Sequence, residues 1–488
     1  MALQLHVREA GDGPAEADRR PAPVVASLAT AGLLGATALL PSAAAWLDTP
    51  AATAVLALLA AGVLVALLVG LRSLLRTRAG SGRRSAARTA LTLVLHLWPV
   101  GLLTVLYPLA SQRMAGVTVG GADLTALLLA VSLTLPWLSQ GVCMPLYRAI
   151  GPLMTQGDIE AIRLRFCEVW PSTFLQSLPV IALFAVPVQL ATGWSAETMG
   201  AYVLLCVLGL AFAQSLVLTN LGRERWGWAL AWTGYSAALV LFPTVYLLPP
   251  VLGLLPQLLV VRRYLPLATF GSLDRRDSLR DVVRGLLLGS VLWADKLFYF
   301  LREGTGFAVS TVFLALLPAV LAYNYYFVRL APGFDAGVAA LRHAMENEPI
   351  RTMSGRSRAL FRTVRDSIVG TALTGAVLAF GTSWVLIDVA PELAGLVAAV
   401  AVASWLFMMT TVVCYKLDYI GHTGVAQSFS GAHLVLCAVA LFTLPPGAAS
   451  YAALAVAELL LFALVLRVCL SAWRAPEYTF FWRHATAW

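Results

Sequence analysis

The sequence predicts an all-α, polytopic membrane protein of about fourteen transmembrane helices, and three observations point there. The chain has 488 residues of which 59% are hydrophobic and only 12% charged, where soluble domains carry roughly a quarter charged residues. Its mean hydropathy is +0.80. The apolar residues gather into runs of about 20, the length at which a rise of about 1.5 Å per residue crosses a hydrocarbon layer of about 30 Å.

Fourteen such runs begin near Val24, Ala51, Thr89, Leu124, Val169, Gly200, Trp228, Leu247, Gly285, Phe307, Ile368, Leu393, Val425 and Tyr451. They divide the chain into a cytoplasmic tail (1–23), two leading helices with a basic loop (24–88), six helices (89–261), a cytoplasmic linker (262–284), six more helices (285–470) and an aromatic tail (471–488). The seventh and eighth runs are cramped: Trp228 to Val261 barely accommodates two crossings and contains Pro243, Pro249, Pro250 and Pro256, so a kinked or re-entrant pair is an alternative. Residues 1–23 are polar and mixed in charge, unlike a cleavable signal, and are expected to be retained.

The net charge of +9 does not indicate nucleic-acid binding, because the arginines occupy short connectors rather than one patch. With the N-terminus in the cytoplasm, alternate connectors collect nearly all of them: Arg72 to Arg88, Arg262 to Arg284 and Arg342 to Arg365, against Arg113 and Arg302 on the other face. This asymmetry predicts that both termini are cytoplasmic in a bacterial inner membrane. The connector 331–365 spaces Phe334, Val338, Leu341 and Met345 among charges, as an amphipathic helix on the membrane surface would, with a solvated basic loop as the alternative from Arg351 onward. Trp473, Tyr478, Phe480, Phe481, Trp482 and Trp488 suit the headgroup zone as an anchor.

Charges inside apolar runs are the candidate functional residues. Asp295 and Lys296 lie in the run that begins at Gly285, where an ionised side chain costs about 2.5–3.5 kcal/mol or more. Adjacent positions do not share a helix face, so the two are expected to meet different surroundings. A role in transport and a buried ion pair that fixes packing both remain open for them. Glu458, in the middle of the last run, is either a proton or cation site or the partner of Lys296. His96 and His433 are expected to be hydrogen-bonded packing residues. Trp293, Tyr299, Tyr323, Asn324, Tyr326, Gln140 and Gln214 are candidates for lining a passage, although Tyr323 to Phe327 could be an interfacial belt and the glutamines interhelical glue.

The six cysteines show no metal-site spacing and read as buried thiols. The phosphate loop G-x-x-x-x-G-K-[ST], the zinc pair H-E-x-x-H and the nucleophile elbow G-x-S-x-G are all missing, so no catalytic residue, metal or cofactor is expected.

Trp293-Ala294-Asp295-Lys296 followed by Leu297-Phe298-Tyr299-Phe300, with the aromatic stretch Tyr323 to Phe327 closing the next run, resembles the Pel-type exopolysaccharide exporters of the multidrug, oligosaccharidyl-lipid and polysaccharide flippase superfamily. The resemblance covers about Gly285 to Arg365. The family's Gly-Phe-Glu-Leu-Arg opening is missing, and Val328 to Pro332 lacks the acidic residue expected after the aromatics. The resemblance implies two six-helix lobes of the multidrug-and-toxin-extrusion type, and the two leading helices are a further departure from the family. It further implies export of a polysaccharide or lipid-linked glycan by alternating access, beside a cytoplasmic glycosyltransferase and other synthase subunits. A cation-coupled drug or lipid exporter of the same fold, a non-transporting scaffold for a polysaccharide synthase and a membrane-embedded transferase are the alternatives.

Overall fold

A computed structural model describes residues 98–99, 106, 110–111, 113–156, 158–220, 225–271, 273–307, 309–389 and 391–485. The tail, the two leading helices with their basic loop, and His96 lie outside the described residues. Among those described, eight helices are long and apolar enough to cross a membrane, and the only sheet is a two-residue ladder of β1 (Thr118–Val119) with β2 (Ala122–Asp123). The chain is thus a helical membrane protein. Its surface agrees: Leu190, Phe380, Trp384 and Leu460 are 81, 71, 70 and 69% exposed, a density of large apolar side chains that lipid tolerates and water does not.

The ladder turns on Gly120 and Gly121, both with positive φ (57° and 92°), as a two-residue hairpin requires. It closes over the start of the helix Ala196–Thr219, where the Ser195 hydroxyl caps the helix by accepting from Thr198 N at 3.2 Å and donates to the Gly120 carbonyl at 2.7 Å.

Seven helices follow the ladder: α1 (Leu124–Val142), α2 (Met144–Gln156), α3 (Ile159–Ser177), α4 (Ala182–Thr192), α5 (Ala196–Thr219), α6 (Arg225–Leu241) and α7 (Leu248–Val261). α3 runs through a 3-10 turn at Leu178–Ile181 into α4, so the run expected near Val169 begins earlier, where Asp158 caps α3 by accepting from Ala161 N at 3.0 Å. The cramped segment forms two helices packed on each other. α7, with 14 residues, rises only about 21 Å, short of a full hydrocarbon crossing.

The expected linker 262–284 is corrected in its second half. α8 (Arg275–Glu303) starts at Arg275, because Asp274 caps it by accepting from Arg276 N at 2.8 Å, so the basic residues from Arg275 to Arg284 are its first turns. α9 (Val309–Tyr325) continues through a π-helical turn (Tyr326–Leu330) directly into α10 (Ala331–Asn347). α11 (Ile350–Val389), α12 (Ala394–Ile420), α13 (Thr423–Thr443), α14 (Ala448–Ala472) and the short α15 (Pro476–Ala485) complete the chain.

The membrane-surface helix expected at 331–365, and the basic loop weighed against it from Arg351, are both corrected. α10 and α11 form an antiparallel hairpin, and the face carrying Phe334, Val338 and Leu341 is buried by protein. The spacing had the period of a one-sided helix right, but not the partner of its apolar face. α11, at 40 residues, is about 60 Å long, twice the hydrocarbon thickness, so its arginine-rich start projects beyond the apolar layer. In the aromatic tail Trp473 and Phe480 are buried while Tyr478, Phe481 and Trp482 are exposed.

Candidate functional site

α8 is the junction of the molecule: it packs on α1, α2 and α4 among the helices before it, and on α12 and α13 among those after it. Glycines make that approach close. A Cβ added at Gly289 would lie 2.8 Å from Gln140 Cβ, and one added at Gly141 would lie 2.7 Å from Leu286 Cγ. Gly285 and Gly289, four residues apart, therefore seat α8 against α1 in the small-x-x-x-small manner of membrane helices. Trp137 Nε1 donates to the Leu286 carbonyl at 2.8 Å in the same seam.

Two turns further along α8, Asp295 and Lys296 are both fully buried, and Lys296 Nζ donates to Asp295 Oδ1 at 2.9 Å. This corrects the expectation that they meet different surroundings: the lysine's four-carbon stem lets its ammonium reach the neighbouring carboxylate even though the two Cβ atoms diverge. The ammonium also donates to the Leu292 carbonyl one turn back at 3.1 Å and stands 5.3 Å from the centre of the Phe407 ring. Asp295 Oδ2 has no hydrogen-bond partner, and neither does the buried hydroxyl of Tyr451, which lies within electrostatic reach of Asp295.

Glu458 does not pair with Lys296. Its Oε1 accepts from Thr410 Oγ1 at 2.6 Å and its Oε2 meets His433 Nδ1 at 2.8 Å, while His433 Nε2 lies 3.1 Å from Cys437 Sγ. All three helices α12, α13 and α14 thus converge on one carboxylate. The Phe407 ring that faces Lys296 also meets the His433 ring edge-on, with centroids 4.8 Å apart. One aromatic ring therefore separates two buried charge networks, Asp295–Lys296 on α8 and Glu458–His433 on α14 and α13.

Taking these groups out of water costs several kcal/mol per ion even after relaxation, which hydrogen bonds must offset. The Glu458 oxygens are both satisfied, whereas the Asp295 carboxylate is satisfied on one oxygen only. Each network keeps its charges away from water, and the Phe407 ring between them carries no exchangeable proton.

The other sequence candidates separate into three groups. Tyr299 belongs to the charged cluster, its ring 5.5 Å from Tyr451, and Trp293 is partly buried on the same helix. Gln214 is held in place by Trp170 Nε1 at 3.1 Å, Ser177 Oγ at 3.0 Å and the Val142 carbonyl at 3.3 Å, so it ties α5 to α3 and to the end of α1 away from the charges. Tyr323, Asn324 and Tyr326 are buried, which corrects the interfacial-belt alternative: the end of α9 is covered by α11 and α12 rather than exposed to headgroups. Asn324 donates to its own helix, to the Val320 carbonyl at 2.8 Å. Gln140 is half-buried and accepts from the Tyr415 hydroxyl at 3.3 Å, joining α1 to α12.

Sequence reasoning missed Phe407, Thr410, Cys437 and Tyr451. The one signal that could have found them was the need of Glu458 for partners, which restricts the search to polar groups in neighbouring runs. It also missed a second buried lysine. Lys416, on α12, is 1% exposed, and its ammonium lies 4.1 Å from the Phe334 ring centre and 5.0 Å from that of Tyr326, with no hydrogen-bond partner.

At the arginine-rich end of α8, Arg148 on α2 pairs with Asp277 and, at 3.1 Å, with Asp281. Its guanidinium holds the Asp277 carboxyl below the usual carboxylate value. Arg284 of α8 pairs with Asp418 of α12. The six cysteines are all buried free thiols, and among the described residues no group of three or more His, Cys, Asp or Glu could hold a metal ion.

Comparison with protein-family models, with curated proteins and with solved structures gave no match.

Proposed function

We propose that the chain is a bacterial inner-membrane exporter that moves a polysaccharide or lipid-linked glycan outward by alternating access. In this reading two six-helix lobes, preceded by two further helices, hinge about α8, and both termini are cytoplasmic. The observation that carries the reading is the fully buried Asp295–Lys296 pair on α8, which packs on both the preceding and the following helices. A charge pair retained at such cost is a marker of ion and substrate pathways. The half-satisfied Asp295 carboxylate supports movement, because its second oxygen and the nearby Tyr451 hydroxyl are not joined by a well-formed hydrogen bond in this arrangement. The cargo class rests on the resemblance of Trp293 to Phe300 and of Tyr323 to Phe327 to the Pel-type exporters. A cytoplasmic glycosyltransferase, with other synthase subunits, is the partner that such a cargo implies, and the exposed arginines at the start of α11 offer it a surface.

The test is surface polysaccharide in cells carrying Asp295→Asn, Lys296→Met or the unaltered chain at matched membrane levels. Loss of export in both variants is expected, and unchanged export would reduce the pair to packing. A second reading, a cation-coupled exporter of drugs or lipids on the same fold, draws on the His433–Glu458 contact, since a buried imidazole beside a carboxylate is suited to carrying a proton. Proton-dependent dye efflux abolished by Glu458→Gln, with polysaccharide unaffected, would favour it.

A further inference from the structure

Lysine occurs only at positions 296 and 416 in a chain whose Lys and Arg together number 34. Both are buried, yet their surroundings differ in kind. Lys296 has a carboxylate, whereas Lys416 has two aromatic rings and no acceptor. One of those rings, Tyr326, opens the π-helical turn; the other, Phe334, lies on the first turn of α10 just past it. A π turn inside a continuous helix is a wide, poorly packed turn and a common site of adjustment. Asp335, next to Phe334, is half-buried and within electrostatic reach of the Lys416 ammonium, but makes no hydrogen bond with it.

Phe334 is also the inner end of an aromatic ladder. Its ring meets that of Trp473 at 5.2 Å, Trp473 meets Phe480 at 6.3 Å, and the Arg342 guanidinium covers Phe480 at 5.1 Å. The ladder ties α10 to the end of α14 and to α15, while Ser357 of α11 donates to Glu477 of α15 at 2.5 Å. The hairpin of α10 and α11 with α15 is thus one braced unit. It continues into α9 through the π turn, packs through α11 on α9 and α12, where Trp405 Nε1 donates to the Ala372 carbonyl at 3.1 Å, and meets Lys416 of α12 beside the π turn.

We propose that Lys416 is a positioning residue for a hinge at the π turn: in the state seen its ammonium is clasped by Tyr326 and Phe334, and when the braced unit swings, it exchanges that clasp for the carboxylate of Asp335. The unsatisfied ammonium makes the clasped state poised rather than locked. The motion goes beyond the export reading and does not depend on the cargo.

The composition supplies the test, because Lys296, Lys416 and the N-terminus carry the only amino groups of the chain. Intact membranes are treated with an amine-acylating reagent and the two lysines are quantified by peptide mass spectrometry. Lys416 is expected to be acylated at least tenfold faster than Lys296. Asp335→Asn, a change at a half-buried position, is expected to slow Lys416 severalfold while leaving Lys296 unchanged, and Lys416→Arg is expected to retain export where Lys416→Met loses it. Equal protection of both lysines, or a Lys416 rate indifferent to Asp335→Asn, would overturn the hinge. Either result is independent of export, so a failed hinge and a failed export reading are told apart.

Discussion

The two lysines show how differently one side chain can be held inside one protein. Lys296 is part of a local pair, its charge answered by the residue before it. Lys416 is in contact with ring faces alone, each worth about 0.5–2 kcal/mol, less than a buried ion's desolvation, and Asp335 reaches it only at a distance. The first arrangement fixes a position, and the second leaves a residual cost that movement can relieve. Removing the charge should therefore have opposite consequences at the two sites.

The largest effect is expected from Lys296→Met, which strands Asp295 as an unpaired buried carboxylate and should cost about 3–5 kcal/mol. Thermal unfolding in detergent would show it as a large fall in midpoint, and adding Asp295→Asn should recover most of the loss. Lys416→Met should be neutral or stabilising in the same measurement, since an apolar side chain replaces an unsatisfied ion; a loss as large as that at Lys296 would erase the contrast. Next comes Gly289→Val, which forces a branched side chain against Gln140 and Trp137 and should cost about 1–3 kcal/mol by overpacking the α1–α8 seam. The equivalent change at Gly381, where an added Cβ meets nothing within 4 Å, should leave the midpoint in place.

Glu458→Gln keeps a hydrogen-bonding side chain between Thr410 and His433 but replaces one of its two acceptor oxygens by an amide donor. It should cost about 1–2 kcal/mol in the same thermal measurement; an unmoved midpoint would mean that the contacts of Glu458 with Thr410 and His433 contribute nothing to the packing of α12, α13 and α14. The smallest effect belongs to the exposed Arg148–Asp277 pair. The Asp277 carboxyl is held below its usual value by Arg148, so its contribution is fully present above about pH 4 and is lost as pH falls through the lowered value. Asp277→Asn should accordingly give the cross-linking of cysteines placed at the α2–α8 contact, already at neutrality, the value that the unaltered chain reaches only in acid; equal cross-linking of the two chains at neutrality would show that the pair contributes nothing.

Much of the frame was legible because its causes are local. A run of apolar residues must meet lipid or a core wherever it folds, and Asp295, Lys296 and Glu458 stand out against such runs at any register. The exceptions are equally physical. The arginines from Arg275 to Arg284 read as a linker, because charge dominates the pattern; yet Asp274 caps a helix that starts there. Tyr323 to Phe327 read as a belt, since aromatic composition is the same whether rings face headgroups or α12.

The sequence by itself determined that this is a helical membrane protein and that Asp295, Lys296 and Glu458 are buried, because chain length and desolvation cost are properties of single segments. Only the tertiary structure decided that Lys296 turns to Asp295, that Glu458 is met by Thr410 and His433, and that Lys416 is caged by Tyr326 and Phe334. Those partners lie up to 90 residues apart on helices whose order in the chain says nothing of their rotation, and a contact of about 3 Å depends on that rotation.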